Sequence, residues 1–529
     1  MTTRSFWGWG NEEGAFDDRQ TGQLRQLVGM QFGNAELTCQ APPALADLAM
    51  PAPRLQPPES LASIISTERR DRASHTYGKS FRDIVRGLDG DYRCAPDLIA
   101  RPGNEQELLD VLDYASGCGA AVIPYGGGSS VVGGTEPRYE GDWSGTITVD
   151  MERFNRIIEV DHQSRAAHIE GGIYGPALED GLRPHGYTLR HFPQSFEFST
   201  LGGWIATRSG GHFATLYTHI DDLVESTRVV TPAGSLETRR LPGSGAGPSP
   251  DRLFLGSEGI LGFVTSAWMR LQSGPEFRAT RTVHFNDFLE GAEGVRRLSQ
   301  SGLYPTNCRL IDAREAMING IGGGSKHLLI VGFESADHPV DAWMERALEI
   351  VADAGGSVQA AKEQKPDQGQ AGDWRQQFIR APYMRDALIR LGLVAETFET
   401  AITWDRFEDF HRGVMDTVNR VTREICGKAF VTCRFTHVYP DGPAPYYTVI
   451  APGRRGDQVK QWDDIKLAVM ETLIDLGGTI THHHAVGRDH RPGYDRQRPE
   501  LFAEVLRATK KTLDPRGMLN PGVLVSNAR

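Results

Sequence analysis

Short apolar runs separated by glycine-rich turns dominate the chain from about residue 93 to residue 275. Residues 120–123 are continuously apolar, as in a short buried strand, and residues 145–150 and 157–160 alternate between apolar and polar positions as strands do. Asn104 is a helix-capping residue type, and the apolar positions that follow it lie on one helical face until Gly119. The pattern predicts a domain that mixes strands and helices.

The pattern changes after about residue 275. Residues 280–285 and 327–333 have the pattern of strands, with helical segments between and after them. Residues 461–476 have the pattern of an amphipathic helix, which ends at two glycines. This alternation favours a separate α+β cap domain. A chain of 529 residues is also too long for one core. We therefore divide it into an N-terminal helical extension (1–92), a first domain (93–275), a cap or substrate domain (276–490) and a C-terminal segment (491–529).

Residues 75–83 form a polar stretch within the N-terminal extension. We expect this stretch to lie on the surface; a loop on the substrate side is the alternative.

Composition excludes several classes of function. The net charge of −11 argues against a nucleic-acid surface or a polybasic membrane surface, although a local basic pocket for one phosphate stays open. The six cysteines are scattered, which suits a reducing compartment. No apolar run reaches the roughly 18 residues of a membrane-spanning helix, and the first residues lack the apolar core of a signal peptide. We expect a cytoplasmic protein, with attachment to a membrane surface left open.

The glycine cluster in residues 124–134 is the first candidate site. Gly126, Gly127 and Gly128 have no Cβ, so their amides can approach a ligand closely, and successive N–H groups in such a turn suit a diphosphate. Ser129 and Ser130 add hydroxyl donors. Neither a P-loop nor a Rossmann glycine motif is present. The alternative is a glycine-rich surface turn with no ligand.

Two more clusters of small residues follow, at 193–211 and 256–265. The three clusters in this order resemble the FAD-binding domain of the vanillyl-alcohol oxidase / p-cresol methylhydroxylase superfamily. The resemblance implies bound FAD and an α+β fold, in which a two-subdomain PCMH-type FAD-binding domain carries an α+β cap domain. The glycine turn has no His or Cys that could attach to the flavin, so we expect non-covalent FAD. The predicted cofactor contacts are Pro124, Tyr125, Gly126, Gly127, Gly128, Ser129, Ser130, Gln194, Ser195, Phe196, Glu197, Phe198, Ser199, Thr200, Thr207, Arg208, Ser209, Gly210, Glu258, Gly259, Ile260, Leu261, Gly262, Phe263 and Val264.

Three adjacent histidines, His482, His483 and His484, form the densest polar cluster. In an extended segment, neighbouring side chains point to opposite faces, so we expect no metal site here. Histidine titrates near neutral pH, which favours a role in proton handling and anion binding. A hydrogen-bonded structural turn is the alternative.

Further residues point to one family within this superfamily. The three histidines followed by Ala-Val-Gly, and the segment that begins Pro193-Gln194-Ser195, resemble the alkyldihydroxyacetonephosphate synthase family. The resemblance implies that Arg385 binds substrate, that Arg309 lies near the active site and that the histidines are catalytic. The family's acid/base tyrosine matches Tyr446 best. Tyr447 stays open, and alternation along a strand lets only one of the two tyrosines face the flavin.

The family resemblance also implies an activity. FAD is used without net redox change, the acyl group of acyl-dihydroxyacetone phosphate leaves, and a long-chain fatty alcohol takes its place in an ether lipid precursor. The family suggests a homodimer. Gln194, Pro445 and Ala485 depart from the family pattern. The competing hypotheses are a FAD-dependent oxidoreductase of a 2-hydroxy acid, which shares the fold, and a flavoprotein kept for binding alone.

Overall fold

A computed structural model of the protein describes residues 3–33, 37–138, 141–358 and 370–526. The strands are β1 (Ile65–Ser66), β2 (Leu98–Ala100), β3 (Ala121–Tyr125), β4 (Thr146–Asp150), β5 (Ile157–Asp161), β6 (Ala166–Glu170), β7 (Tyr187–Thr188), β8 (Val224–Thr231), β9 (Gly234–Glu237), β10 (Phe263–Arg270), β11 (Gln272–Ser273), β12 (Phe277–Phe285), β13 (Asn307–Ile311), β14 (His327–Ser335), β15 (Ser357–Val358), β16 (Leu393–Glu399), β17 (Phe430–Val438) and β18 (Pro443–Pro452).

The helices lie between and around these strands. They are α1 (Asp18–Phe32), α2 (Arg69–Ser74), α3 (Phe81–Leu88), α4 (Glu105–Cys118), α5 (Gly175–Leu182), α6 (Leu201–Thr207), α7 (Phe288–Ser299), α8 (Ala313–Ile318), α9 (Asp341–Ala352), α10 (Gln370–Arg390), α11 (Trp404–Cys426), α12 (Gln458–Asp475), α13 (Arg491–Gln497) and α14 (Glu500–Leu513). Within the described part of the chain, no helix is both long and apolar enough to cross a bilayer.

The first domain is built on two sheets. One has the order β1-β2-β4-β3, in which β2, β4 and β3 run parallel. The other is antiparallel in the order β5-β6-β10-β8-β9. Helix α4 packs its apolar face on the first sheet, begins at the predicted cap Asn104 and ends at Gly119 in the left-handed conformation.

The cap domain is a seven-stranded antiparallel sheet of order β15-β12-β14-β13-β17-β18-β16. Helices α7, α9, α11 and α12 contribute to its core. The predicted α+β fold, with two subdomains and a cap, is confirmed.

The N-terminal residues belong to the core of the cap. Phe6, Trp7 and the apolar face of α1 share one buried cluster with the cap strands. The C-terminal segment instead lies on the first domain, where Leu519 bridges to Val122 and the buried Lys510 ammonium donates to the carbonyl of Ile260 at 2.9 Å.

The prediction that residues 75–83 lie on the surface is wrong. His75, Lys79 and Asp83 are all buried, because this stretch packs directly against the glycine turn. The amide of Lys79 donates to the carbonyl of Ser130 at 2.5 Å, and a Cβ at Gly78 would lie 2.4 Å from the same oxygen. Polar composition misled the prediction because the partners of these groups come from distant segments.

Candidate active site

A cavity lies between the glycine turn of the first domain and the sheet of the cap. Its wall on the first domain includes much of the predicted cofactor set, namely Gly126, Gly127, Gly128, Ser129, Ser130, Gln194, Ser195, Ser199, Thr200, Thr207, Ser209 and Gly210. Its wall on the cap includes Arg309, Arg385, Tyr446, His483 and His484. Predicted cofactor and substrate residues therefore face one space.

The glycines of the turn are required by protein packing as well as by ligand approach. A Cβ at Gly126 would lie 2.4 Å from the Thr200 hydroxyl oxygen, and one at Gly127 would lie 1.9 Å from the carbonyl oxygen of Phe198. Gly128 has φ of +67°, in the region that favours glycine. The first two glycine clusters thus pack backbone against backbone. They leave a concave surface of main chain and short hydroxyl side chains, and this surface fits a diphosphate-containing cofactor such as FAD.

Other predicted contacts are placed away from this cavity. Glu197 is exposed, and Arg208 pairs with Asp221 at 2.9 Å. The remainder, Pro124, Tyr125, Phe196, Phe198, Glu258, Gly259, Ile260, Leu261, Gly262, Phe263 and Val264, do not line it either. Their contact with another part of the cofactor stays a prediction.

Glu258 joins the third glycine cluster to the segment after the histidines. Its buried carboxylate accepts hydrogen bonds from the amides of Val486 at 2.8 Å and Gly487 at 2.7 Å. Burial raises the pKa of Glu258 to about 7, although the two amide hydrogen bonds act against that rise.

Glu399, at the end of β16, organises the three histidines. Its fully buried carboxylate accepts from the amides of His482, His483 and His484 and from the Thr481 hydroxyl at 2.5 Å. Burial alone would raise the pKa of Glu399, but the imidazoles and these hydrogen bonds hold it below the usual value. The segment is therefore a series of bends wrapped around a carboxylate, not an extended strand.

The three imidazoles point in different directions. His483 and His484 line the cavity beside the ring of Tyr446, with ring centroids 6.1 and 5.5 Å away. His482 lies behind them, with Nε2 2.7 Å from the hydroxyl of Tyr439. Burial, followed by the neighbouring imidazoles, lowers the pKa of His482 and His483 well below the ordinary value. Burial also lowers the pKa of His484. At neutral pH these rings are neutral hydrogen-bonding groups, not cations.

Tyr446 and Tyr447 face opposite sides of β18. Tyr446 lines the cavity, and its hydroxyl donates to Thr397 Oγ1 at 2.9 Å. Tyr447 is fully buried against the helices, where it stacks on Phe398 and contacts His411 Nδ1 at 3.1 Å. Of the two tyrosines, Tyr446 is the one placed to meet a ligand.

Arginines surround Tyr446 on the cap side. The guanidinium of Arg434 lies 3.9 Å from the centre of the Tyr446 ring and pairs with the buried carboxylate of Glu315. Arg309 is buried nearby; burial and the charge of Arg434 lower its pKa to about 10, so it stays charged at neutral pH. Arg385 contacts Asp386 at 3.3 Å, and its buried Nε has no hydrogen-bond partner among the described residues. The cavity therefore suits an anion.

Sequence reasoning missed Glu399, Glu315 and the role of Arg434. A charged residue in an otherwise apolar strand was the available signal, since Arg434 interrupts the buried β17 and Glu399 ends the buried β16. Lys79 and Trp9 were missed as well. Trp9 lines the cavity from the N-terminal segment. Lys79 is buried near Arg4, Asp386 and Arg385, and burial, together with Arg4, lowers its pKa to about 8.

Comparisons with known proteins agree with this architecture. The model of the family described as FAD binding domain matches residues 96–239, and that of FAD linked oxidases, C-terminal domain, matches residues 274–524. The solved structure of p-cresol methylhydroxylase with substrate bound shares the fold, with a TM-score of 0.68 at 14% identity over 88% of this chain and 94% of that chain.

Two further relatives are more similar. A solved structure of alkyldihydroxyacetonephosphate synthase superposes with a TM-score of 0.80 at 25% identity, over 98% of each chain. The alkyldihydroxyacetonephosphate synthase of Dictyostelium discoideum is 30% identical over 487 residues, which is 87% of this chain and 78% of that protein. The chain therefore belongs to the alkyldihydroxyacetonephosphate synthase family and is built to bind FAD.

Proposed function

We propose that this chain is a FAD-dependent, redox-neutral alkylglycerone-phosphate synthase. It exchanges the acyl group of acyl-dihydroxyacetone phosphate for a long-chain fatty alcohol. The observation that carries the proposal is the convergence of Tyr446, His484 and three arginines on the cavity lined by the glycine turn. The relatives that match most of the chain are synthases of this name, which supports the same activity.

FAD would be held by the glycine turn and the hydroxyls opposite it, chiefly Ser129, Ser130, Thr200 and Ser209. When bound, it supplies a reactive centre that carries the glycerone-phosphate unit between the departing acid and the incoming alcohol. No His or Cys occurs in residues 124–134, which supports non-covalent binding.

The arginines supply the recognition of phosphate. Arg434 is balanced by Glu315 and Arg385 contacts Asp386, so a phosphate would add negative charge where three guanidinium groups meet two carboxylates. A guanidinium can bind phosphate through two parallel hydrogen bonds. We assign the substrate phosphate to Arg385 and Arg309, as the family resemblance implies.

Tyr446 is the group that we assign to proton transfer. Burial raises its pKa, and Arg434 over its ring acts against that rise, so the resting phenol keeps its proton while its phenolate has a cation beside it. The imidazole of His484, edge-on to the Tyr446 ring, can exchange a hydrogen bond with substrate beside the phenol. Tyr446 would exchange a proton at the carbon beside the substrate carbonyl.

The cavity also has apolar lining that suits long alkyl chains. Ile318, Met384, Leu388, Ala395 and Ile450 all face it. Burial of an alkyl chain against such side chains gains about 0.8 kcal/mol for each CH₂ group. This lining supports lipid substrates over a small 2-hydroxy acid.

Three expectations about the setting of the enzyme rest on the family resemblance and on composition. We propose a homodimer, a cytoplasmic location and peripheral contact with the membrane that holds the lipid substrates. Light scattering would measure the oligomer, and sedimentation with phospholipid vesicles would measure membrane contact.

Two variants of neighbouring tyrosines test the catalytic assignment. Tyr446→Phe should keep FAD and lose the exchange of fatty acid for fatty alcohol by 10²-fold or more, the usual effect of removing an acid/base group. Tyr447→Phe is the matched control, since it removes a hydroxyl from the adjacent residue on the other face, and it should keep full exchange activity. Equal activity of both variants would remove Tyr446 from the mechanism.

The substrate class is tested with wild-type protein and no electron acceptor. Acyl-dihydroxyacetone phosphate plus a labelled fatty alcohol should give labelled ether product. If the flavin is instead reduced stoichiometrically by a 2-hydroxy acid and no ether product forms, the oxidoreductase alternative replaces the synthase.

A further inference from the structure

Four histidines from three distant segments meet at one wall of the cavity. His437 comes from β17, His482 and His483 from the bends around Glu399, and His219 from the loop before β8. Ligand atoms of His437, His482 and His483 all lie within 4.8 Å of one another. His482 Nδ1 is 3.1 Å from His483 Nδ1, and His482 Nε2 is 3.2 Å from His219 Nε2.

Main-chain carbonyls fix the tautomers of two of these rings. Nε2 of His437 lies 3.0 Å from the carbonyl oxygen of Gly211, so this nitrogen carries the proton and Nδ1 keeps a lone pair. Nδ1 of His437 is buried and has no hydrogen-bond partner among the described residues. Nδ1 of His219 lies 3.0 Å from the carbonyl oxygen of Arg208, which leaves the lone pair on Nε2. Carbonyl partners of this kind typically orient histidines that bind a metal.

We propose that His437, His482 and His483 bind one divalent metal ion of the zinc class. Three imidazoles and no carboxylate favour zinc, copper or nickel over magnesium or calcium. With Zn–N bonds of 2.0–2.1 Å, tetrahedral ligand nitrogens lie about 3.3 Å apart, close to the contact between His482 and His483.

The surroundings favour such an ion. The Glu399 carboxylate lies 3.6 Å from His483 Nδ1 and supplies negative charge just outside the ligand set. His437 and His483 also line the cavity, so a fourth coordination position can face it.

The three adjacent histidines are divided between two tasks. His484 has Nδ1 3.5 Å from Glu399 and its ring edge-on to Tyr446, so it stays beside the phenol. His482 and His483 turn toward His437, with ring centroids 5.0 and 5.4 Å away. A bound metal would leave the Tyr446–His484 pair intact.

Metal content of the FAD-loaded protein, prepared without a polyhistidine tag, tests the proposal. After removal of metal with a chelator, titration with Zn²⁺ should saturate at one ion per flavin. His437→Gln should weaken Zn²⁺ binding by more than the 10–100-fold that loss of an outer-sphere partner costs. His168→Gln, a half-buried histidine of β6 bonded to Ser266, is the matched control and should bind Zn²⁺ as the wild type does.

His482→Gln tests Zn²⁺ binding at a second ligand, which lies in another segment of the chain. Both variants should keep their FAD and melt at the temperature of the metal-free wild type, but they should not bind Zn²⁺. Co²⁺ in the wild type should give tetrahedral absorption bands at wavelengths longer than those of the flavin, and these bands should be missing in both variants. A wild type that takes up no Zn²⁺, or one whose affinity equals that of the two variants, would overturn the proposal.

Discussion

Two arginines on the same helix, Arg385 and Arg390, lie in different surroundings although they are five residues apart. Arg385 faces the cavity, whereas Arg390 donates from Nε to the main-chain carbonyl of Gln40 at 3.1 Å. Lysine keeps the charge but cannot form two parallel hydrogen bonds with phosphate. Arg385→Lys should therefore keep its FAD and lose kcat/KM for acyl-dihydroxyacetone phosphate by roughly 10–100-fold, the effect of one lost charged hydrogen bond.

Arg390→Lys is the matched control and should retain wild-type kcat/KM. Steady-state kinetics at several substrate concentrations, with flavin absorbance as the measure of cofactor content, would decide. A wild-type kcat/KM in Arg385→Lys would make Arg385 a structural residue of the cap.

At the same scale, the sequence could predict that one of Tyr446 and Tyr447 faces the flavin, but not which. Alternation along a strand is local, whereas the facing side depends on register with other strands. In the structure Tyr446 pairs with Glu399 on β16 and with Arg434 on β17. These partners are separated from it in the chain, so their charges could not be assigned to Tyr446 from the pattern alone.

At the scale of elements, Glu258 couples the third glycine cluster to the turn after the histidines. Its pKa is raised from about 4.5 to about 7, mainly by burial, so the folded state binds a proton that the unfolded state releases across that range. The contribution of Glu258 to the free energy of unfolding is thus fully present below pH 4.5 and is lost as the pH rises from about 4.5 through about 7. Over that interval the loss amounts to about 3 kcal/mol.

Glu258→Gln should remove this dependence, because Gln is close to Glu in shape and does not titrate. The free energy of unfolding of the FAD-saturated protein, measured with denaturant at pH 5 and pH 8, should fall less for Glu258→Gln than for the wild type. Glu159→Gln, on the exposed face of β5, should behave as the wild type. An unchanged pH dependence in Glu258→Gln would show that this carboxylate ionises normally.

The histidine segment shows where periodicity fails. Alternation argued against a shared metal for three adjacent histidines, but that argument assumes extended backbone. Glu399 instead bends the segment around its carboxylate, and the third imidazole of the cluster, His437, comes from another strand. The local sequence predicts neither the bend around Glu399 nor the approach of His437.

At the scale of the whole molecule, the sequence predicted the fold class but not the contacts between distant segments. Apolar runs that end at glycines, and the different pattern of strands and helices after about residue 275, are local features of the sequence. The structure has the two sheets and the cap sheet that these features predict. The N-terminal extension, by contrast, joins both domains. Its aromatic residues enter the core of the cap, and β1 pairs with β2 of the first domain. Such joining depends on long-range packing that no local pattern encodes.

Arg4 is the residue through which the N-terminal segment reaches the cofactor turn. Its guanidinium donates to the carbonyl of Gly127 at 2.8 Å and lies 4.6 Å from the ring centre of Phe198. Five residues further along the same segment, the amide of Trp9 donates to Asp386 of the cap at 2.6 Å. One short segment therefore fixes the glycine turn, the second glycine cluster and the cap relative to one another.

Arg4→Met should weaken FAD binding by roughly 10-fold, because it removes a charged hydrogen bond to the turn and the contact with Phe198. The change is conservative in shape, so the cap core around Phe6 and Trp7 should remain folded. Equilibrium titration of the apoprotein with FAD, followed by flavin fluorescence, would measure the effect, and Arg19→Met on the exposed face of α1 is the matched control. If Arg4→Met binds FAD as the wild type does but melts earlier, Arg4 only fastens the N-terminal segment and the cofactor turn is held by the first domain alone.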